Sequence, residues 1–307
     1  MGTQINSTTL TPDQKEILNL ERKYFYTLHN TFTSPEFLHD LREIEKSIKM
    51  DYSTLSLFSQ KKNKIDIALE RIMRFYMYKT IKPEGIYHSS LSSDLAYYTK
   101  DALINIDAKS IDMKSNKQDK NKVTVEKNQI SFSNKPVFNI GSFPGYKYMP
   151  RLPCKDAIRN LPALTYFIKC IYEDDNTNFD LVGISLACVP NGLLGDLFDN
   201  DLITGFKTYE YMTQSMTRNP IYSSYSSVSS IRSHWIKFIP RGKDRYYDNT
   251  LVNPLYPSDF ISWAIKEGGT KFQACIDGGT ARIKAETLKV RYDAYNNPWT
   301  GYIYISL

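Results

Sequence analysis

A chain of 307 residues, 41% hydrophobic and 23% charged, carries enough apolar mass to bury a sizeable core. Lys and Arg number 39 against 33 Asp and Glu, a net charge of +6, which suits a nucleic-acid partner without identifying one. The four cysteines, Cys154, Cys170, Cys188 and Cys275, form no Cys-x-x-Cys pair, which argues against zinc fingers and dithiol redox motifs and fits reduced thiols in a cytosolic protein.

No apolar run approaches about eighteen residues, so no membrane-spanning helix is expected. The opening Met-Gly-Thr-Gln-Ile-Asn has no basic-then-apolar targeting pattern. No Gly-x4-Gly-Lys-Ser/Thr loop occurs, which excludes an ATP-driven motor on this polypeptide.

Thr11-Pro12-Asp13 starts the first predicted helix: a capping Thr, Pro at the first helical position and an acid in the first turn. It runs to about His29, with Ile17, Leu20, Tyr24 and Leu28 on one stripe. Ser34-Pro35-Glu36 repeats the start signal, and Phe37, Leu38, Leu41, Ile44 and Ile48 form the second stripe. A third helix over 64–79 carries Ile65, Ala68, Leu69, Ile72, Phe75 and Tyr76. The basic run 61–64 before it reads as a solvated turn or a phosphate contact. Each amphipathic helix needs an apolar partner.

Pro83-Glu84-Gly85 breaks the helical region, and the most informative stretch follows. Leu95–Tyr98 is strand-like, Thr99–Asp101 a turn, and Ala102–Ile106 an apolar run leading into Asp107-Ala108-Lys109. If the two pieces form a hairpin, Asp94 and Asp107 meet at one end of a sheet. Alternation puts Asp107 and Lys109 on one face and Ala108 on the other. Two carboxylates and a backbone carbonyl suit a hard, oxygen-loving ion such as Mg²⁺. Such an ion polarises a phosphodiester and acidifies an attacking water, and a neighbouring lysine orients that water or balances charge.

Asp94, followed by a strand, a turn, a strand and Asp107-Ala108-Lys109, resembles the bipartite PD-(D/E)xK motif of type II restriction endonucleases and related nucleases. Ser93 stands where the motif has proline, a variation the family tolerates because the aspartate does the work. The resemblance covers the motif strongly; its flanks, over 64–192, match in general layout. It implies catalytic roles for Asp94, Asp107 and Lys109, with Mg²⁺ held by Asp94, Asp107 and the Ala108 carbonyl. In that family a helix before the first aspartate often adds an acid to the metal site. Glu70 is the candidate here; its other reading is a solvated residue paired with Arg74 at i+4.

Beyond the motif, Lys114, Lys117, Lys120 and Lys122 interleave with acids in a polar stretch that reads as a solvated loop or a phosphate-contacting arm. Val123–Val125 and Gln129–Phe132 read as a hairpin. Gly141–Pro153 is turn-rich, and Lys155–Leu161 reads as a helical turn. Leu164–Tyr172 and Phe179–Val189 are long apolar runs of the kind found in central strands. The acids Glu173, Asp174 and Asp175 read as a solvated hairpin loop, and Asp196, Asp199 and Asp201 lack calcium-loop spacing.

From Gly205 onward, Phe206–Met212, Ser230–Pro240, Lys271–Ile276, Arg282–Tyr292 and Tyr302–Ile305 alternate like strands. Lys237, Arg241, Lys243 and Arg245 surround Trp235 and Tyr246, near a hydroxyl-rich stretch over 222–230. That mixture suits a DNA groove, with phosphate contacts from Lys and Ser and base edges read by Arg, Asn or Gln; an ordinary wet β surface is the other reading. His29, His39, His88 and His234 do not cluster in sequence.

The expected fold is α/β (α+β): a central mixed sheet flanked by helices, like that of restriction endonucleases. One domain over 1–307 divides into a helical region 1–82, a catalytic core 83–200 and a β-rich region 201–307. The expected function is a cytoplasmic, bacterial, Mg²⁺-dependent, sequence-specific endonuclease that cuts double-stranded DNA to leave 5′-phosphates and works as a homodimer. The alternatives are a capsid-like viral or phage structural protein, suggested by the β-rich C-terminal half, and a nonspecific or repair nuclease on the same core.

Overall fold

A computed structural model describes residues 9–50, 61–86, 93–114, 121–126, 129–132, 138–140, 143–146, 152–175, 178–198, 202–207 and 280–307. The chain divides into two compact units. The first comprises Met1–Asn134, Met149–Thr204 and Arg282–Leu307; the second comprises Lys135–Tyr148 and Gly205–Ala281. In the second unit, β5 (Phe138–Ile140) and β6 (Phe143–Tyr146) form an antiparallel ribbon.

The first unit opens with three helices. Helix α1 (Pro12–Phe32) starts at a capping box: the Thr11 hydroxyl accepts from the Gln14 N–H, and the Gln14 side chain accepts from the Thr11 N–H. The expected stripe of Ile17, Leu20, Tyr24 and Leu28 is buried. Helix α2 (Pro35–Met50) follows, with the Ser34 hydroxyl accepting from the Phe37 N–H at 3.2 Å. Helix α3 (Lys61–Ile81) starts earlier than expected, so the basic run occupies its first turn. Its buried face is Leu69, Ile72, Met73, Tyr76 and Met77, at the i, i+3, i+4, i+7, i+8 spacing of one stripe. Phe75, expected on that stripe, falls outside the arc and is 62% exposed.

The helices cover one face of a six-stranded mixed sheet in the order β1-β2-β3-β7-β8-β13. Its strands are β1 (Gly85–Ile86), β2 (Leu95–Tyr98), β3 (Leu103–Asp112), β7 (Ala163–Asp174), β8 (Phe179–Val189) and β13 (Tyr302–Ser306). Strands β3 and β7 run parallel; the other neighbours are antiparallel. Alternation sends Ile104 and Ile106 of β3, Leu164, Tyr166, Ile168 and Cys170 of β7, and Ile184, Leu186 and Cys188 of β8 into the core shared with α1, α2 and α3. The opposite face carries the polar row: Asn105, Asp107 and Lys109 lie in register with Thr165, Phe167 and Lys169.

Two strand expectations change. Gln129–Phe132 is not a strand; its expected partner, β4 (Lys122–Glu126), instead joins β10 (Thr280–Lys284) and β9 (Ile203–Lys207) in a three-stranded sheet. Arg282–Tyr292 is not continuous: the short helix α4 (Ala285–Leu288) separates β10 from β11 (Arg291–Tyr292), which pairs with β12 (Pro298–Trp299). Tyr302–Ile305 forms a strand as expected, within β13, and pairs with β8 as an edge of the central sheet. Ser230–Pro240 and Lys271–Ile276 lie outside the described residues. Among the described residues, no helix is long and apolar enough to cross a membrane.

Candidate active site

The motif hairpin forms as its sequence predicts. At the turn, the Thr99 N–H donates to the Ala102 carbonyl at 2.9 Å, and the Ala102 N–H donates to the Thr99 hydroxyl at 3.0 Å. Strand β2 then pairs with β3 in the register Leu95↔Ile106, Ala96↔Asn105, Tyr97↔Ile104, Tyr98↔Leu103. Asp94 directly precedes β2, and Asp107 directly follows Ile106 on β3. There Asp94 Oδ2 accepts the Ala108 N–H at 2.6 Å, taking the place of the backbone partner that β2 no longer supplies. From α3, Arg74 Nη2 donates to the Asp94 carbonyl at 3.0 Å.

Asp107 is 2% exposed, and among the described residues its carboxylate meets an ion-pair partner, Lys109, and a hydrogen-bond donor, Gln129. Lys109 Nζ lies 2.7 Å from Oδ2, reaching back along the same face of β3. Gln129 Nε2 donates to Oδ1 at 2.7 Å. A buried carboxylate needs such partners, because desolvation of an uncompensated charge costs several kcal/mol, on the order of the penalty for any buried ion. The Lys109 side chain keeps about a third of its surface open to solvent, at 32%.

The cover over this polar face is the segment carrying β4 and Gln129. Lys169 Nζ, beside Lys109 in register, donates to the Lys122 carbonyl at 2.9 Å. The Thr165 hydroxyl donates to the Gln129 carbonyl at 3.1 Å. The spacing along the chain does not mark Gln129, Lys169 or Arg74 as site residues. Lys169 carries a signal, the one charge in the run from Ala163 to Tyr172; Gln129 carries none.

Glu70 is half-buried on α3, one helical turn before Arg74. Lys114 is exposed just past β3; its N–H donates to Asp112 Oδ1 at 3.0 Å, and its Nζ lies 3.6 Å from Asp175 Oδ2. Lys117, Lys237, Arg241, Lys243, Arg245 and His88 lie outside the described residues.

Among the described residues, no three His, Cys, Asp or Glu side chains cluster as a metal-binding group. The oxygen donors that the sequence reading assigns to a metal are the Asp94 and Asp107 carboxylates and the Ala108 carbonyl. In a strand the N–H and C=O of one residue face the same neighbour. Because the Ala108 N–H turns to Asp94, its carbonyl faces the same side, beyond the end of β2. All-oxygen donors with two negative charges fit a hard divalent cation that keeps several waters.

A family model described as the N-terminal domain of the type II restriction enzyme MwoI matches residues 13–176, more than half of the chain. Among solved structures, the restriction endonuclease BglI bound to its DNA recognition sequence is similar at 16% identity. That similarity covers 66% of this chain and 83% of BglI, with a TM-score of 0.50, and shows a shared fold. The tetrameric restriction endonuclease SfiI bound to cognate DNA aligns at 13% identity, covering 65% of this chain and 74% of SfiI, with a TM-score of 0.44. No curated protein sequence matches.

Proposed function

This chain belongs to the family of the type II restriction enzyme MwoI N-terminal domain, and we propose that Asp94, Asp107 and Lys109 are the centre at which it cuts DNA. The single observation that carries the proposal is the closure of Asp94 onto the Ala108 N–H at 2.6 Å, which brings both halves of the motif together.

In this reading Asp94, Asp107 and the Ala108 carbonyl hold Mg²⁺, with Glu70 on α3 a further acid available to the site. The ion, when bound, supplies Lewis acidity toward the phosphodiester and an acidified water. Lys109 orients the attacking water and balances the charge that builds on the phosphate oxygens. Burial of Asp107 strengthens these charge interactions by excluding solvent. Hydrolysis leaves 5′-phosphate ends. Lys114, Lys117, Lys237, Arg241, Lys243 and Arg245 are the proposed contacts to double-stranded DNA, with phosphate contacts setting position and base contacts setting specificity. A homodimer in the bacterial cytoplasm completes the proposal, since two-fold protein symmetry matches a palindromic site.

Family membership removes the support for a capsid-like reading and favours sequence-specific cutting over general degradation. The test is incubation of purified protein with plasmid DNA, with and without Mg²⁺, followed by sequencing of the ends. Discrete Mg²⁺-dependent fragments with 5′-phosphates are expected. A smear would point to a nonspecific nuclease, and intact plasmid would reject the proposal.

A further inference from the structure

Gln129 is 2% exposed, yet its side chain is polar and its position follows no motif. Its amide Nε2 donates to Asp107 Oδ1 at 2.7 Å, while Lys109 Nζ sits 2.7 Å from Oδ2. A carboxylate only accepts hydrogen bonds, so the amide must present its NH₂ to Asp107. The Gln129 backbone is itself tied down: its carbonyl accepts from the Thr165 hydroxyl at 3.1 Å, on the strand beside Asp107. The same segment is anchored at Lys122, whose carbonyl accepts from Lys169 Nζ at 2.9 Å.

We infer that Gln129 is a positioning residue for Asp107: it fixes the rotation of the carboxylate, and so the direction in which its charge is offered to a divalent cation. The inference rests on the proposed role of Asp107. Charge explains why an amide suits this position. With Lys109 already beside Oδ2, a second cation in place of Gln129 would orient the carboxylate equally well but would add to the neutralisation of the charge that attracts the metal. A neutral donor orients without competing. Hydrogen-bond partners behind a metal-binding carboxylate typically contribute about 10–100-fold in metal affinity or activity.

The test uses the full chain with Gln129→Met, which keeps the buried volume and removes the donor, and Gln129→Ala as a second variant. Mn²⁺ affinity is measured by calorimetry, plasmid cleavage is followed across a Mg²⁺ titration, and thermal unfolding reports the fold. The expected result is an unfolding temperature near wild type for Gln129→Met. Mn²⁺ affinity should fall by about 10-fold or more. The Mg²⁺ needed for half-maximal cleavage should rise in parallel, with cleavage largely restored at high Mg²⁺. Wild-type Mn²⁺ affinity and Mg²⁺ dependence in both variants would overturn the inference. So would lost cleavage with unchanged Mn²⁺ affinity. Asp107→Ala, run alongside, separates the two levels. If it abolishes Mn²⁺ binding while the Gln129 variants bind normally, only the positioning role falls. If it also binds and cuts normally, the assignment of the site falls with it.

Discussion

Asp94 Oδ2 and the Ala108 N–H are 2.6 Å apart across the open end of the β2–β3 hairpin, so the first half of the motif is bonded to the main chain of the second. The contact makes Asp94 both a metal-binding carboxylate in the proposed mechanism and a cap on an otherwise unpaired backbone donor. Asp94→Asn keeps the shape but removes the charge. Cleavage is expected to fall by about 10²–10³-fold, the usual loss for one electrostatic group acting on the transition state. Gel-shift affinity for the cognate site should change little. Cleavage at the wild-type rate would remove Asp94 from the site.

Lys109 pairs with Asp107 at 2.7 Å and keeps an open side toward solvent. Lys109→Ala is expected to lose plasmid cleavage while retaining DNA binding, read by fluorescence anisotropy in Ca²⁺. A variant that cuts normally would end the catalytic assignment of this lysine.

Glu21 of α1 and Arg291 of β11 form an ion pair in which both side chains are 0% exposed. Arg291 lies over the Trp299 ring at 4.6 Å and over Phe198 at 5.1 Å, and Glu21 Oε1 accepts the Asn191 N–H at 2.7 Å. Burial pushes the Glu21 carboxyl above its ordinary value despite the guanidinium beside it. Removing one partner leaves a buried, uncompensated charge. Arg291→Met is expected to cost about 3–5 kcal/mol in urea unfolding, and Glu21→Met with Arg291→Met markedly less than the sum of the two single changes. Additive losses would show that the residues act independently.

Asp156 caps the turn before β7 by accepting the N–H groups of Ile158 at 3.0 Å, Arg159 at 2.8 Å and Leu161 at 2.9 Å. The Tyr98 hydroxyl donates to it at 3.0 Å. Burial alone would raise the carboxyl, but the donors of Arg159, Leu161, Ile158 and Tyr98 outweigh it and hold it below the usual range. The folded value lies below the unfolded one, so the stabilisation is present above about pH 4 and is lost as pH falls through the folded value. Asp156→Asn should lower stability at neutral pH by about 1–3 kcal/mol and flatten the loss below about pH 4. Urea midpoints between neutral and acidic pH check both; an unchanged acid limb would reject the assignment.

The sequence by itself determined the start of α1 and the β2–β3 hairpin. Thr11 and Pro12 start α1 because capping is a short-range chemical signal, and α1 begins where they place it. The β2–β3 hairpin follows from Leu95, the Thr99 turn and Ile106, and strand alternation alone puts Asp107 and Lys109 on one face. Only the tertiary structure decided what surrounds them. Gln129 reaches Asp107 across a loop, Arg74 reaches the Asp94 carbonyl from a helix, and β13 closes against β8 from the far end of the chain. Phe75 shows the same limit within one helix, because its exposure depends on which arc of α3 faces the sheet and not on its own hydrophobicity. Periodicity and caps are written over a few neighbouring residues. The pairing of distant ones is chosen by burial, register and the need to satisfy every buried donor and charge, which no spacing along the chain records.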